Sequence, residues 1–362
     1  MRRNWDIFCR VIDNFGDIGI CWRLARQLAA EHGFAVRLWL DDPAALAPLC
    51  PPFNPMLPAQ NLAGVNVCRW GEPFPAVEPA DVVIEAFACE LPAGYRAAMA
   101  RRPAPPAWIN LEYLSAETWI EGCHRLTSPQ PPLRKHFFFP GFTARTGGLL
   151  RESHLLAARD ELQASQQRGA TLQVSLFCYD NAPVADLFAA WQASPRPIRC
   201  RVPPGQPLAA TQRALGDRGP WQRGALSVTP IPFLAQDEYD RLLWSCDVNF
   251  VRGEDSFVRA QWAGRPFVWQ PYRQQEDTHL DKLAAFLARY TQALPVEAGV
   301  AVQRMFKAWN ADPATPGEIA AAWAEFAAQL PALEVANRHW AESLCAQGDL
   351  AANLVEFVDS GL

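Results

Sequence analysis

The 362-residue chain has no apolar run long enough to cross a membrane, and Met-Arg-Arg-Asn-Trp-Asp leads straight into a strand-like run without a hydrophobic leader. Both absences predict a cytoplasmic protein with no membrane partner. None of the ten cysteines forms a C-x-x-C pair, and they are scattered from Cys9 to Cys345. A disulfide framework and a structural zinc site are therefore not expected, and most of these thiols read as small buried hydrophobes. Six histidines fall in no H-x-x-x-H or similar spacing, and no D-x-D pair occurs; Asp41-Asp42 runs into Pro43 and reads as a turn. No metal is expected on that composition. Positive charge is not in excess either: the net charge of −5 argues against nucleic acid as a direct partner and suits a cationic target better. Neither G-x-G-x-x-G nor G-x-x-x-x-G-K is present, which removes the dinucleotide fingerprint and the phosphate loop.

What is present is apolar and alternating. Half of the residues are hydrophobic, with 14 Trp and 20 Phe, enough for two cores of ordinary size. Strand-like runs near 5–12, 34–40, 65–70, 81–87 and 107–111 alternate with helical stretches in the first half. Others near 171–178, 197–202, 226–230, 247–251 and 266–270 do so in the second. This pattern predicts α/β units with parallel sheets in two Rossmann-like domains, 1–165 and 166–344. The Pro- and Gly-rich stretch 128–148 is expected to be a loop.

Two short segments carry chemistry. Val11-Ile12-Asp13-Asn14-Phe15-Gly16-Asp17-Ile18-Gly19 places two carboxylates on a Gly-containing turn from a strand into a helix. Gly16 and Gly19 allow a substrate to approach the helix start. Ordinary helix capping would account for Asp17 but not for a second acid, Asp13, at the end of a buried strand. Arg252-Gly253-Glu254-Asp255-Ser256 follows another strand-like run and opens another helix, with Asp255 and Ser256 in the expected N-cap. A diphosphate fits such a helix start, and Arg252 can add a charge-assisted contact. The plain alternative is a cap plus a surface Arg–Glu pair.

Taken in order, D-N-F-G-D-I-G-I-C-W-R-L-A-R-Q-L at 13–28, S-L-F-C-Y-D at 175–180, P-F-L-A-Q-D-E-Y-D at 232–240 and V-R-G-E-D-S-F-V-R-A-Q-W-A-G-R-P-F-V-W-Q at 251–270 closely resemble the EarP family. These are bacterial protein-arginine rhamnosyltransferases that modify elongation factor P, and the resemblance runs over essentially the whole chain. It implies a GT-B-type glycosyltransferase architecture, two Rossmann-like domains facing a cleft, with the last helix, about 345–362, packing back on the first domain. It also implies inverting transfer of rhamnose from dTDP-β-L-rhamnose to an arginine, without metal or other cofactor.

On this resemblance Phe177, Tyr179, Phe233 and Tyr239 form a thymine pocket and Gln236 bonds the base edge, Tyr239 being a conservative departure if the family has Phe there. Arg252, Gly253, Asp255 and Ser256 hold the diphosphate, Glu254 approaches the ribose or sugar as a catalytic residue, and Asn14, Phe15 and Gly16 touch the donor. An arginine acceptor stays protonated. One of the paired acids therefore orients it and the other takes a proton. Asp17 is the candidate base and Asp13 the orienting acid, and the two roles are interchangeable at this level. Another dTDP-sugar enzyme, such as an epimerase or a small-acceptor glycosyltransferase, would share the donor pocket; a silent nucleotide-sugar binding protein gives no reason for the paired acids.

Overall fold

The computed structural model describes residues 3–13, 15–167 and 169–361. The chain forms two compact units: one runs to Ser153 and is completed by the segment from Leu344, and the other is His154–Ser343. In the first unit the elements are β1 (Asn4–Cys9), α1 (Gly16–Ala30), β2 (Ala35–Leu40), β3 (Ala59–Leu62), β4 (Val65–Arg69), β5 (Val82–Ala86), α2 (Ala93–Arg101), β6 (Ala107–Leu111), α3 (Ile120–Cys123), β7 (Thr127–Gln130) and β8 (Leu133–Phe138). Their sheet has the order β3-β4-β2-β1-β5-β6-β8-β7, antiparallel only at its two edges. The second unit contains α4 (Leu155–Ser165), β9 (Leu172–Leu176), α5 (Val184–Gln192), β10 (Ile198–Val202), α6 (Gln206–Leu215), β11 (Trp221–Arg223), β12 (Leu226–Pro230), α7 (Gln236–Ser245), β13 (Val248–Arg252), α8 (Asp255–Ala263), β14 (Phe267–Gln270), α9 (Thr278–Tyr290), α10 (Val296–Asn310), α11 (Glu318–Ala328) and α12 (Leu330–Cys345). Its sheet order is β11-β12-β10-β9-β13-β14, with β11 alone antiparallel. The chain then returns to the first unit as α13 (Leu350–Asp359). Among the described residues no helix is long and apolar enough to cross a membrane.

The central strands are apolar because both faces are covered, as in any doubly wound sheet. Along β1, Trp5, Ile7 and Cys9 pack on the side of α1 and α13, where Leu24, Leu28, Leu350 and Leu354 complete one core. Phe8 points to the other side, against Trp39, Tyr95 and Met99. Asp6 is fully buried and satisfied there. Arg37 grips it bidentately at 2.6 Å through Nε and Nη2, and Trp39 Nε1, the Ala80 N–H and the Tyr95 hydroxyl complete its shell.

Two expectations change. The boundary drawn at 165 lies instead at 153/154, because α4 packs with the second unit: Gln163 Nε2 donates to Ala263 O at 3.0 Å and Arg159 Nη1 to Trp262 O at 2.9 Å. The stretch 128–148, read as loop, contains the β7–β8 hairpin, with β8 also pairing parallel to β6. Its prolines are tolerated because β7 is an edge strand, where a missing N–H leaves no neighbour unpaired.

Parallel strands present their carboxyl ends on one edge of each sheet, and ligands collect where strand order reverses. In the first sheet that point lies between β1 and β5, and in the second between β9 and β13. Residues 10–17 follow β1, 177–181 follow β9 and 253–256 follow β13. The folding pattern therefore puts each marked segment at a switch point of its own unit.

Candidate active site

In the first unit the turn after β1 is built around Asp17. This residue is 2% exposed, in the first turn of α1, but it does not cap its own helix, whose N-cap is Phe15 without a side-chain bond. Its Oδ2 accepts from the Ile12 N–H at 2.8 Å and the Asp13 N–H at 2.9 Å, so the carboxylate clasps the turn that precedes the helix. Its Oδ1 accepts from the Tyr113 hydroxyl at 3.1 Å, and the Tyr113 ring stacks on Phe87 with centroids 4.4 Å apart. Asp13 is half-buried beside it, and its carbonyl accepts from the Gly16 N–H at 2.6 Å. A Cβ at Gly16 would lie 2.9 Å from Asp13 Oδ2, so glycine is what lets this carboxylate fold over the helix start. Asn14 lies outside the described residues, and Phe15 and Gly16 are half-buried.

In the second unit Arg252 ends β13 and is 8% exposed, which overturns the reading of a surface Arg–Glu pair. Its Nη1 donates to Cys178 O at 3.1 Å and Gln206 Oε1 at 3.0 Å. Its guanidinium carbon lies 4.4 Å from the Phe177 ring centroid and 4.6 Å from that of Tyr179. These two aromatics, expected to line a base pocket, thus hold the arginine through cation–π contact. Burial pushes the Cys178 thiol up to about 12, so it stays neutral beside that charge.

The helix start also differs from expectation. Glu254 is the N-cap of α8, with Asp255 and Ser256 as its first helical residues. Ser256 Oγ donates to Arg252 O at 2.5 Å and accepts from the Arg252 N–H at 3.1 Å, so its hydroxyl closes the turn. Gly253 adopts φ 60°, the left-handed region that favours glycine, and its carbonyl accepts from Trp269 Nε1 at 2.7 Å. The opening amides of a helix have no intrahelical partner and carry its positive dipole end.

Around this turn, Gln236 is 4% exposed and donates through Nε2 to Asp255 Oδ2 at 3.3 Å. Tyr239 meets Phe177 edge-on with centroids 5.7 Å apart, and burial raises its hydroxyl above the ordinary phenol range. Phe233, 38% exposed, keeps the most open ring of the four aromatics. Three participants escaped sequence reading. Tyr113 supports Asp17 from the end of β6, Gln206 supports Arg252 from the start of α6, and Gln270 Oε1 accepts the Tyr179 N–H at 2.8 Å. Their signal was only their place at strand ends and helix starts. Among the described residues no group of three His, Cys, Asp or Glu is placed to hold a metal ion.

The family profile described as "Elongation-Factor P (EF-P) rhamnosyltransferase EarP" matches residues 5–359. The chain belongs to the EarP family. A protein-arginine rhamnosyltransferase from Pseudomonas putida is 50% identical over the full length of both chains, and one from Shewanella oneidensis is 39% identical over 98% of this chain and 97% of its own. The EarP structure described as the basis of arginine glycosylation of translation elongation factor EF-P superposes with a TM-score of 0.68 at 36% identity, covering all of both chains. Spinosyn rhamnosyltransferase SpnG, complexed with thymidine diphosphate, gives 0.57 at 13% identity over 99% of this chain and 100% of that one, a likeness of fold alone. As an EarP member the chain is a protein-arginine rhamnosyltransferase, and its two Rossmann-like units are those of the GT-B fold.

Proposed function

We propose that the chain transfers L-rhamnose from dTDP-β-L-rhamnose to an arginine of translation elongation factor P, with inversion at the anomeric carbon. The observation that carries the donor half is Arg252, a guanidinium buried under two aromatic rings at the start of α8, where a diphosphate meets both a cation and a helix dipole. The acceptor half rests on Asp13 and Asp17, two acids on one turn.

In this reading a terminal nitrogen of the acceptor guanidinium attacks the anomeric carbon as the bond to the diphosphate oxygen breaks. The bond pair leaves with dTDP, the nitrogen gives up one proton, and the product guanidinium keeps its charge. Asp17 Oδ1 takes the proton, since Oδ2 already accepts two backbone N–H groups, while Asp13 orients the planar cation. Glu254 faces the ribose or sugar. The same reading assigns Phe15 and Gly16 to the donor; Asn14, assigned with them, lies outside the described residues.

The direct test incubates the enzyme with dTDP-β-L-rhamnose and unmodified elongation factor P and weighs the factor intact. One added deoxyhexose, lost when the target arginine becomes lysine, supports the reading; no mass gain overturns it. Because Arg252 and the α8 start offset the leaving-group charge, EDTA should leave the rate unchanged. A rate abolished by EDTA and restored by magnesium would show that a metal carries that charge instead. Phe233→Ala should weaken dTDP binding by about 1–3 kcal/mol if its open ring stacks on thymine, with the melting temperature nearly unchanged. Unaltered dTDP affinity in calorimetry would remove Phe233 from the pocket.

A further inference from the structure

Three strand-to-helix junctions of the second unit converge on one guanidinium. Arg252 comes from β13, Cys178 follows β9, and Gln206, half-buried, is the first residue of α6 after β10. The Cys178 carbonyl and Gln206 Oε1 both take Nη1, at 3.1 and 3.0 Å. Among the described residues Nε and Nη2 have no hydrogen-bond partner. A guanidinium carries five donors in a rigid plane, so fixing Nη1 fixes where the other edge points. That Nε–Nη2 edge is the one by which Arg37 grips Asp6 and Arg259 grips Asp240 elsewhere in this chain.

We infer that Gln206 is a positioning residue for donor recognition. It holds Nη1 of Arg252 so that the Nε–Nη2 edge is presented to a diphosphate. The inference rests on the donor reading above in one respect only, that the ligand of Arg252 is a nucleoside diphosphate. The Phe177 and Tyr179 rings lie over the guanidinium face and the Cys178 carbonyl takes one Nη1 hydrogen, which still leaves rotation within the plane about that contact; a second acceptor from a different βα junction removes that freedom. The neutrality of glutamine matters as much as its reach. A carboxylate at 206 would hold the arginine more strongly and cancel the charge it offers.

Two variants separate aim from stability. Gln206→Glu keeps the acceptor and forms an ion pair with Arg252, so its melting temperature should equal or exceed that of the parent. Its dTDP affinity should fall at least about tenfold, the scale of one charge-assisted hydrogen bond. Gln206→Met removes the acceptor and should raise KM for the donor sugar while KM for elongation factor P stays constant. If Gln206→Met does not fold, Gln206→Glu decides alone. A folded Gln206→Glu with parental dTDP affinity overturns the inference. If the parent itself ignores dTDP, the thymidine reading fails, and the same comparison with inorganic pyrophosphate still judges Gln206: weaker binding in Gln206→Glu supports it, and equal binding overturns it.

Discussion

Asp17→Asn is expected to lower turnover by about 10²–10⁴-fold, the range of a lost general base, while leaving the fold and the dTDP affinity nearly unchanged. The hydrogen-bond pattern around the residue explains why the fold should tolerate it. The asparagine oxygen can accept from the Ile12 and Asp13 N–H groups as Oδ2 does now. Its amide nitrogen then faces Tyr113, whose hydroxyl accepts as readily as it donates and needs only to rotate. What disappears is the charge that takes a proton and holds a cation. Asp17→Ala differs, because it leaves two turn N–H groups without their acceptor and should cost about 1–3 kcal/mol. Asp13→Asn should also be severely impaired, and the double Asn variant should lose less than the product of the two single effects if the acids act as a unit. Single-turnover rates at saturating donor, read beside melting temperatures, separate these outcomes. Near-parental rhamnosylation by Asp17→Asn removes it as the base; an unfolded Asp17→Asn returns it to a purely structural clasp.

The parallel strands were legible because a strand covered on both faces reads as an apolar run, as in Val82-Val83-Ile84. The turns that follow them were legible because Gly16 and Gly253 mark places where a side chain is sterically excluded or strained. The β7–β8 hairpin was not, since Ser128-Pro129-Gln130-Pro131-Pro132 contradicts strand propensity and only its edge position makes it possible. Side-chain partnerships were least accessible. Tyr113 reaches Asp17 across 96 positions, and Gln206 reaches Arg252 across 46. No local pattern encodes either pairing. The aromatics Phe177 and Tyr179 were noticed, but period-two alternation says only that they share a side of the strand, not that an arginine from another strand fills the space against them.

Arg259→Met is expected to destabilise the protein by about 3–5 kcal/mol, the cost of leaving a buried carboxylate without its partner. Arg259 and Asp240 are 1% and 3% exposed and meet bidentately, Nε to Oδ1 at 3.0 Å and Nη2 to Oδ2 at 2.8 Å. The pair joins α8 to α7, and its placement connects stability to the donor site. Gln236 lies four residues before Asp240, and Asp255 four residues before Arg259. The Gln236–Asp255 hydrogen bond at 3.3 Å and the Asp240–Arg259 ion pair are therefore successive rungs, one helical turn apart, between the same two helices. Loss of the lower rung should let the upper one drift and weaken dTDP binding as well. Replacing both partners, Asp240→Leu with Arg259→Met, removes the orphaned charge and should recover most of the stability, since a buried ion pair is often worth no more than apolar residues of the same volume. Urea unfolding of the three variants measures the first effect, and dTDP titration below the transition measures the second. An Arg259→Met variant within about 1 kcal/mol of the parent would mean that water reaches Asp240. A double variant with restored stability but weak dTDP binding would show that the upper rung depends on the charges themselves, and one that recovers both would assign the pair to holding the two helices in register.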